Sequence, residues 1–336
     1  MNNFKKVGLT ALAGSLAAVS AQAAEMTVSG ASVLTYTSEH SSEVTGNPYG
    51  MKTNIGFTAS GDVNGYTVSY MQTSMDKFAG MSSARLSVDM GDMGTVAFDQ
   101  GSGSGLATID DKTPTAAEEI WDGLDGAGAS TTSVGGLVGA AGNSGVFNYI
   151  NTYAGVTLNA AARSGSGAKN SDGASSAAGQ GAWDFALTSS SISGVEGLTL
   201  GAGYGEAETG STVALTGSGG DTVHVTAFAN YSYGPVTVGY QMSEIDVGST
   251  GSNDEIADAW GVALNVNESL SVSYGERDVE YDKPSAANVT EAGEGIAIAY
   301  TMGSMKIAGN KNEVSNNGGT SGTSDEMTEI ALSFAF

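Results

Sequence analysis

The chain has 336 residues, and its 36 acidic side chains outnumber 12 basic ones, for a formal net charge of −24. Binding to phosphate backbones needs a basic surface, so the charge balance argues against nucleic acid as a partner. The chain has no cysteine and only four prolines. Its fold cannot depend on disulfides, and long uninterrupted strands are permitted.

The N-terminus has the features of a secretory signal peptide. Lys5 and Lys6 precede the apolar stretch VGLTALAGSLAAVSA, which overlaps the segment Ala21-Gln22-Ala23. A charged segment, a short apolar segment and an A-x-A site predict cleavage after Ala23. A short N-terminal membrane helix is the alternative, and it fits less well because the run is short and rich in small residues. We expect residues 24–336 to form one domain with a net charge near −26, since both lysines are removed.

Apolar and small polar residues alternate along most of the remaining chain. In PVTVGYQM, residues 235–242, Val236, Val238, Tyr240 and Met242 share one face, and Thr237 lies on the other. This period of two is typical of β-strands. No apolar run after residue 23 approaches 18 residues, so no membrane-spanning helix is predicted. Similar alternation is found in 53–60, 65–72, 83–90, 260–266, 294–302 and 329–336.

The connections between these segments alternate between short and long. Seven tight turns and eight longer polar loops join sixteen predicted strands, and the longest loop covers residues 101–143. Transmembrane β-barrels combine short turns at one rim with long loops at the other. A soluble β-sandwich or secreted adhesin remains the alternative. A glycine-rich solenoid would need a fixed short repeat, and the sequence has none. Aromatic residues beside the short turns predict one interfacial girdle: Tyr66, Tyr149, Tyr153, Tyr231, Tyr233, Tyr300 and Phe336.

The longest loop contains one helix candidate, IDDKTPTAAEEIWDG, residues 109–123. Thr113 could cap the helix with Pro114 at its first position, and Gly123 could end it. Thr115 and Glu118 have the spacing of a capping box. We therefore predict a short acidic helix inside a loop of an otherwise all-β protein.

The whole pattern resembles a Gram-negative general porin. The resemblance rests on the signal peptide, the first strand EMTVSGASVLTYT, the sixteen alternating segments, the long third loop and the final strand DEMTEIALSFAF. It implies a homotrimer of water-filled, sixteen-stranded antiparallel transmembrane β-barrels, with short periplasmic turns, long outer loops and an inward-folded third loop. It also implies residence in the outer membrane among lipid and lipopolysaccharide, with Phe336 read by the assembly machinery. The acidic, lysine-poor composition most resembles the alphaproteobacterial or marine type, and the PEFGGD-like loop motif of enterobacterial members is not present.

Charged residues in the third loop and on the strands are the candidates for solute selection. Ile120 and Trp121 are expected to contact the barrel wall. Members of the porin family that this chain resembles carry basic residues of the pore constriction on strands two and four. On those strands this chain has Lys52 and Arg85. Rings of acidic side chains favour cations, so we expect a cation-preferring pore for small hydrophilic solutes. The loop acids are Asp110, Asp111, Glu118, Glu119 and Asp122, with Asp125 nearby, and the lumen-facing bases are Lys52, Arg85, Arg163 and Lys306. The alternative is that these bases are ordinary solvated charges.

Other sequence signals are weak. His40 and His224 are isolated, so neither a metal site nor a catalytic triad is predicted, and we expect no cofactor and no enzyme activity. His224 is expected to be a wall residue. The acidic segment SNDEIADA, residues 252–259, could bind calcium weakly, although its spacing matches no EF-hand and solvated surface charge explains it better. A substrate-preferring nutrient channel and a non-channel surface or adhesion protein remain the alternative functions.

Overall fold

A computed structural model describes residues 25–39, 46–74, 80–124, 135–142, 144–165, 181–208, 220–248, 253–284 and 286–336. These residues form sixteen antiparallel strands, each paired with its neighbours in sequence, and β1 pairs with β16 to close the barrel. The predicted sixteen-stranded antiparallel barrel is confirmed. The predicted signal peptide, His40 and Asp125 lie outside the described residues.

The strands, in chain order, are β1 (Glu25–Glu39), β2 (Tyr49–Val63), β3 (Tyr66–Ser74), β4 (Met81–Asp89), β5 (Thr95–Gln100), β6 (Ser144–Tyr153), β7 (Val156–Ser164), β8 (Gly181–Ser189), β9 (Leu198–Ala207), β10 (Thr222–Tyr233), β11 (Val236–Asp246), β12 (Asp254–Asn265), β13 (Leu270–Asp282), β14 (Val289–Met302), β15 (Met305–Ser315) and β16 (Ser324–Ala335). Three short 3-10 helices, Gly91–Met93, Gly105–Thr108 and Asn317–Gly319, lie in connections. Within the described residues, no helix is long and apolar enough to cross a bilayer.

Short and long connections alternate around the barrel, as predicted. Val63 and Tyr66 pair across a two-residue turn in which Asn64 has φ 56° and Gly65 has φ 85°. Positive φ at both turn residues matches the natural twist of the two strands, which explains the Asn-Gly dipeptide. The strand ends that the long connections join all lie at the opposite rim, and the longest connection joins β5 to β6 through residues 101–143.

The strand alternation sorts side chains to the two faces of the barrel. On β11, Tyr240 and Met242 are 46% and 53% exposed on the outer face, whereas Gln241 is only 4% exposed on the inner face. An apolar belt of this extent is unsuited to water and typical of a surface that contacts lipid. The soluble β-sandwich alternative is therefore wrong: the chain forms one closed sheet whose apolar side faces outward.

The final strand closes the barrel at the rim with the short turns. Gly30 N donates to Phe336 O at 2.8 Å, and Phe336 N donates to Gly30 O at 3.0 Å. The register Ala31↔Ala335 continues this pairing along β1 and β16. The last residue of the chain thus completes the hydrogen-bond ladder, and neither of these two strands is left as a free edge.

The described part of the longest loop, residues 101–124 and 135–142, lies inside the barrel. Leu106 N donates to Asp184 on β8 at 3.0 Å, and Lys112 N donates to Gln241 on β11 at 2.7 Å. Farther along, Asn312 on β15 donates to the loop carbonyl of Asp122 at 2.9 Å. All three wall residues lie on the inner face. A segment that reaches this face on so many strands must cross the lumen.

Candidate functional site: the inward loop and its wall

Four glycines in register give the inward loop a flat surface to pack on. Gly239 pairs with Gly261, Gly261 with Gly275, and Gly275 with Gly295, across β11 to β14. We call these four residues the glycine row. Because the residues next to them point outward, all four face the lumen, and without side chains they allow close approach of another backbone.

Two loop residues fill the space above the glycine row. A Cβ on Gly239 would lie 2.5 Å from Pro114 Cδ, and one on Gly261 would lie 2.9 Å from Pro114 O. A Cβ on Gly295 would lie 2.9 Å from the Ile120 side chain. Ile120 is buried, so its predicted contact with the wall is confirmed. The loop packs too closely on this row for any side chain larger than glycine.

An asparagine at each end of the glycine row hydrogen-bonds the loop backbone. Asn230 pairs with Gly239 on the neighbouring strand and donates to Lys112 O at 2.7 Å. Asn312 pairs with Gly295 and donates to the carbonyls of Glu119 and Asp122 at 3.1 and 2.9 Å. Six consecutive strands therefore hold residues 112–122 at one height in the barrel.

The predicted helix over residues 113–123 is not found in the structure. Lys112 N donates to Gln241 Oε1 at 2.7 Å and Ala116 N donates to Ser273 Oγ at 2.8 Å. Thr113 donates through its backbone N and its Oγ1 to Asp111 Oδ1, both at 3.0 Å. An irregular segment that is hydrogen-bonded to the wall, followed by a turn at 120–123, replaces the helix. The short 3-10 helix in the loop is instead Gly105–Thr108.

Both limbs of the loop meet at one buried carboxylate. Asp184 accepts from Leu106 N at 3.0 Å on the outgoing limb and from Ala141 N at 2.7 Å on the returning limb. An apolar cluster surrounds this point and packs loop residues against the wall. Its members are Leu106, Ile109, Val138, Ala186 and Phe228. The base of the loop is thus fixed by packing and by charge-assisted hydrogen bonds.

Asp122 is the loop acid whose surroundings change its chemistry most. Burial, followed by the nearby charges of Glu118, Glu329 and Glu119, raises the pKa of Asp122 to about 6, and Lys52 opposes this shift. Glu118 is exposed to the lumen, and Glu119 is half-buried. The structure therefore brings the predicted acids Glu118, Glu119 and Asp122 together with the predicted base Lys52.

The other two predicted acids lie closer to the wall. Asp110 and Asp111 are both half-buried, and burial is the main cause that raises the pKa of each. Asp111 Oδ1 accepts two hydrogen bonds from Thr113, so this carboxylate oxygen helps to fix the conformation of the loop. These two carboxylates are separated along the chain from the cluster at Glu118 and Asp122.

The predicted bases have three different positions. Lys52 is exposed on the inner face of β2, near Asp122 and Glu329. Lys306 lies beside the short turn before β15, six residues from Asn312, a distance of about 20 Å along a strand. Lys306 is therefore separated from the acidic cluster at Glu118 and Asp122.

Arg85 and Arg163 are used at the base of the loop. Arg85 donates to Gly103 O at 3.1 Å and also to Asn148 Oδ1. The Arg163 guanidinium carbon lies 3.8 Å from the position that a Cβ on Gly142 would occupy, and its charge acts on Asp184. Both arginines are half-buried, so they contact the loop ends rather than standing as solvated lumen charges.

Sequence reasoning missed Arg277 and the glycine row. Arg277 is buried on the inner face of β13, with its guanidinium 4.9 Å from the Trp121 ring centroid. This contact confirms the predicted wall contact of Trp121. The available signal was strand alternation: Arg277 has inner-face parity, as do Gly239, Gly261, Gly275 and Gly295.

The histidine and calcium expectations can be compared with the structure directly. His224 lies on the inner wall, where Nδ1 accepts from Gly139 N at 3.3 Å, in agreement with the predicted wall position. In SNDEIADA, strand β12 begins at Asp254, so Asp254 and Asp258 face outward while Glu255 faces inward. Among the described residues, no group of three or more acidic or histidine side chains is arranged to hold a metal ion. The weak calcium hypothesis has no support there.

Comparisons with known proteins give matches to structures alone. No protein-family model matches the sequence, and a search of curated proteins finds no match. A porin structure refined at 1.8 Å resolution matches with a TM-score of 0.65 at 14% identity, covering 93% of this chain and 100% of that one. The in-vitro folded outer membrane protein OmpT of Vibrio cholerae matches with a TM-score of 0.63 at 14% identity, covering 93% and 98%.

A third similar structure is an anion-selective porin from Comamonas acidovorans, with a TM-score of 0.63 at 13% identity, covering 94% of this chain and 100% of that one. The sequence identities are too low to define a subtype, so the alphaproteobacterial or marine type stays a prediction. With its sixteen antiparallel strands, closed seam and inward third loop, the chain has the fold of the porins.

Proposed function

We propose that the protein is a porin of the Gram-negative outer membrane that lets small hydrophilic solutes and ions diffuse passively through a water-filled pore. The observation that carries this proposal is the inward loop held across the glycine row. The described part of the loop occupies space inside the barrel, and Lys52 on β2 remains exposed. A packed core would bury such a lysine, whereas an aqueous passage keeps it hydrated.

The charges that remain in the narrowed lumen support a preference for cations. Besides burial, the charges of Glu118 and Glu329 raise the pKa of Asp122, and the charge of Lys52 opposes that shift. Arg85 and Arg163 are bonded or packed at the ends of the loop. Acidic side chains at a constriction favour cations over anions. The fold does not decide the sign, since one similar porin is described as anion-selective.

Aromatic and acidic side chains on the outer face support a membrane position in which the rim with the long loops lies at one layer of lipid headgroups. The Tyr274 hydroxyl lies 2.7 Å from carboxylate oxygens of both Glu276 and Glu294, and Trp260 Nε1 donates to Glu276 at 3.2 Å. Aromatic side chains of this kind sit at the membrane interface, with acids beyond them in water. Lipid and lipopolysaccharide are the partners that this belt fits.

We further infer a homotrimer, because one similar structure is the trimer form of Vibrio cholerae OmpT. Export by residues 1–23 and recognition of Phe336 by the assembly machinery complete the proposal. The constriction would be formed by loop 101–143, with Asp110, Asp111, Glu118, Glu119 and Asp122 as its acidic side and Lys52 as its basic side.

The test is reconstitution of the detergent-purified protein in planar bilayers. Stepwise conductance is expected, and a salt gradient should give a reversal potential of the sign set by cation flow. A water-soluble protein without conductance would refute the channel, and an anion-selective reversal potential would refute the charge assignment. Saturable block by one nutrient would instead favour a substrate-preferring channel.

A further inference from the structure

We propose that Arg277 is the positioning residue that sets the width of the constriction, by joining both limbs of the inward loop to the barrel wall. This inference rests on the proposed channel function. It adds a residue that does not face the solute path but controls the residues that do.

Arg277 contacts the loop at two points far apart in sequence. Its guanidinium carbon lies 4.9 Å from the centroid of the Trp121 ring on the outgoing limb. Its Nη2 donates to the carbonyl of Gly135 on the returning limb. Arg277 is only 5% exposed, so both contacts are shielded from water and correspondingly strong.

The position of Arg277 is itself fixed from the wall. Glu291 on the neighbouring strand β14 lies 3.7 Å from Arg277 Nη1. The same carboxylate accepts from Gly318 N at 2.7 Å, in the connection between β15 and β16. A buried arginine without a partner would be costly, and Glu291 removes that cost.

The returning limb packs directly over the guanidinium. Gly136 N donates to Glu255 Oε2 at 2.5 Å, and a Cβ on Gly136 would lie 3.1 Å from Arg277 Nη2. A planar guanidinium can stack on an indole while donating in its own plane to a carbonyl and a carboxylate. A lysine ammonium lacks this geometry, so it can keep the charge without keeping the three contacts together.

Movement at Trp121 would be transmitted to the pore. Trp121 lies between Ile120, which packs on the glycine row, and Asp122, which belongs to the acidic cluster. If the Trp121 backbone shifts when the ring leaves Arg277, the adjacent Asp122 shifts with it. The stacked arginine therefore determines how far the charged side of the loop extends into the lumen.

The experiment compares Arg277→Met, Arg277→Lys and Trp121→Leu with the wild-type channel in planar bilayers. Lys311→Met is the matched control, since it removes a cation from the exposed outer face. The measurements are the occupancy of conductance levels and the size cut-off for neutral polyethylene glycols. Circular dichroism melting of each variant reports whether the barrel itself is intact.

We expect Trp121→Leu to raise the occupancy of a wider level by roughly 2- to 30-fold, the range that corresponds to loss of one cation–π contact. Arg277→Met should raise the occupancy of the wider level further. Arg277→Lys should have the same polymer cut-off as Arg277→Met, with the barrel melting temperature of the wild type. Lys311→Met should match the wild type.

Wild-type conductance and cut-off in both Trp121→Leu and Arg277→Lys would overturn the inference while leaving the channel function standing. If Arg277→Met does not fold, these two variants decide the question alone. Absence of conductance in the wild type would refute the proposed function and this inference together.

Discussion

Gly295 offers the sharpest test of how the inward loop is held. An added methyl group in Gly295→Ala would place Cβ 2.5 Å from Asn312 Oδ1 and 2.9 Å from the Ile120 side chain. Ordinary contact needs about 3.5 Å or more, so both neighbours must retreat by roughly 0.5–1 Å. Asn312 carries the two hydrogen bonds to the loop carbonyls, and Ile120 is the apolar contact beside them.

Overpacking of this kind costs about 1–3 kcal/mol, which changes the ratio of displaced to seated loop by a factor of roughly 5 to 150. Gly293→Ala is the matched control on the same strand and the same face. Its Cβ would meet its nearest neighbour at 3.6 Å, an ordinary contact. The two variants therefore differ in steric clash but not in chemistry.

Single-channel recordings in planar bilayers measure the effect. Gly295→Ala should show extra conductance levels or increased open-channel noise, and Gly293→Ala should show neither. Thermal unfolding of the barrel should be similar in both. Identical recordings from the two variants would refute the argument that close contact with the glycine row positions the loop.

Three further predictions follow from individual contacts. The pKa of Asp122 is raised to about 6, so its carboxylate is charged above that pH and neutral below it. Cation preference should therefore fall as the pH drops through 6. Asp122→Asn should remove this step from a titration of the reversal potential. Lys52→Gln should increase the cation-to-anion permeability ratio, and a decrease would contradict its assigned position. Asp184→Ala leaves two buried backbone donors unpaired, at about 1–3 kcal/mol each, and should destabilise the loop as measured by limited proteolysis, with Asp62→Ala at an exposed turn as the control.

The barrel could be predicted from the sequence because its strands obey a local rule. Alternation in segments such as PVTVGYQM fixes which residues face out, and Asn64-Gly65 fixes a turn through its own backbone preferences. Neither depends on contacts with distant residues. The alternation of short and long connections then located loop 101–143 as the third long loop.

The state of the loop could not be predicted in the same way. Thr113, Pro114 and Gly123 are good signals for a helix, but those signals are local and take no account of contacts with distant parts of the chain. Gln241 and Ser273 accept from this backbone, and Pro114 packs on Gly239 and Gly261, all more than 100 residues away. The glycine row can be recognised as a packing surface for the loop only when the pairing of its four strands is known.

The arginines show why charge counting from sequence gives an incomplete account of selectivity. Within the described residues, Arg85, Arg163 and Arg277 each lie against a different part of the inward loop, near Gly103, Gly142 and Gly135. A guanidinium suits this role because it donates in several directions at once to backbone carbonyls and carboxylates. From the sequence alone these arginines could have bound anions in the pore, but in the structure they hold an acidic loop in place. Under the proposed function, replacing an arginine should therefore disturb pore size before it disturbs charge preference.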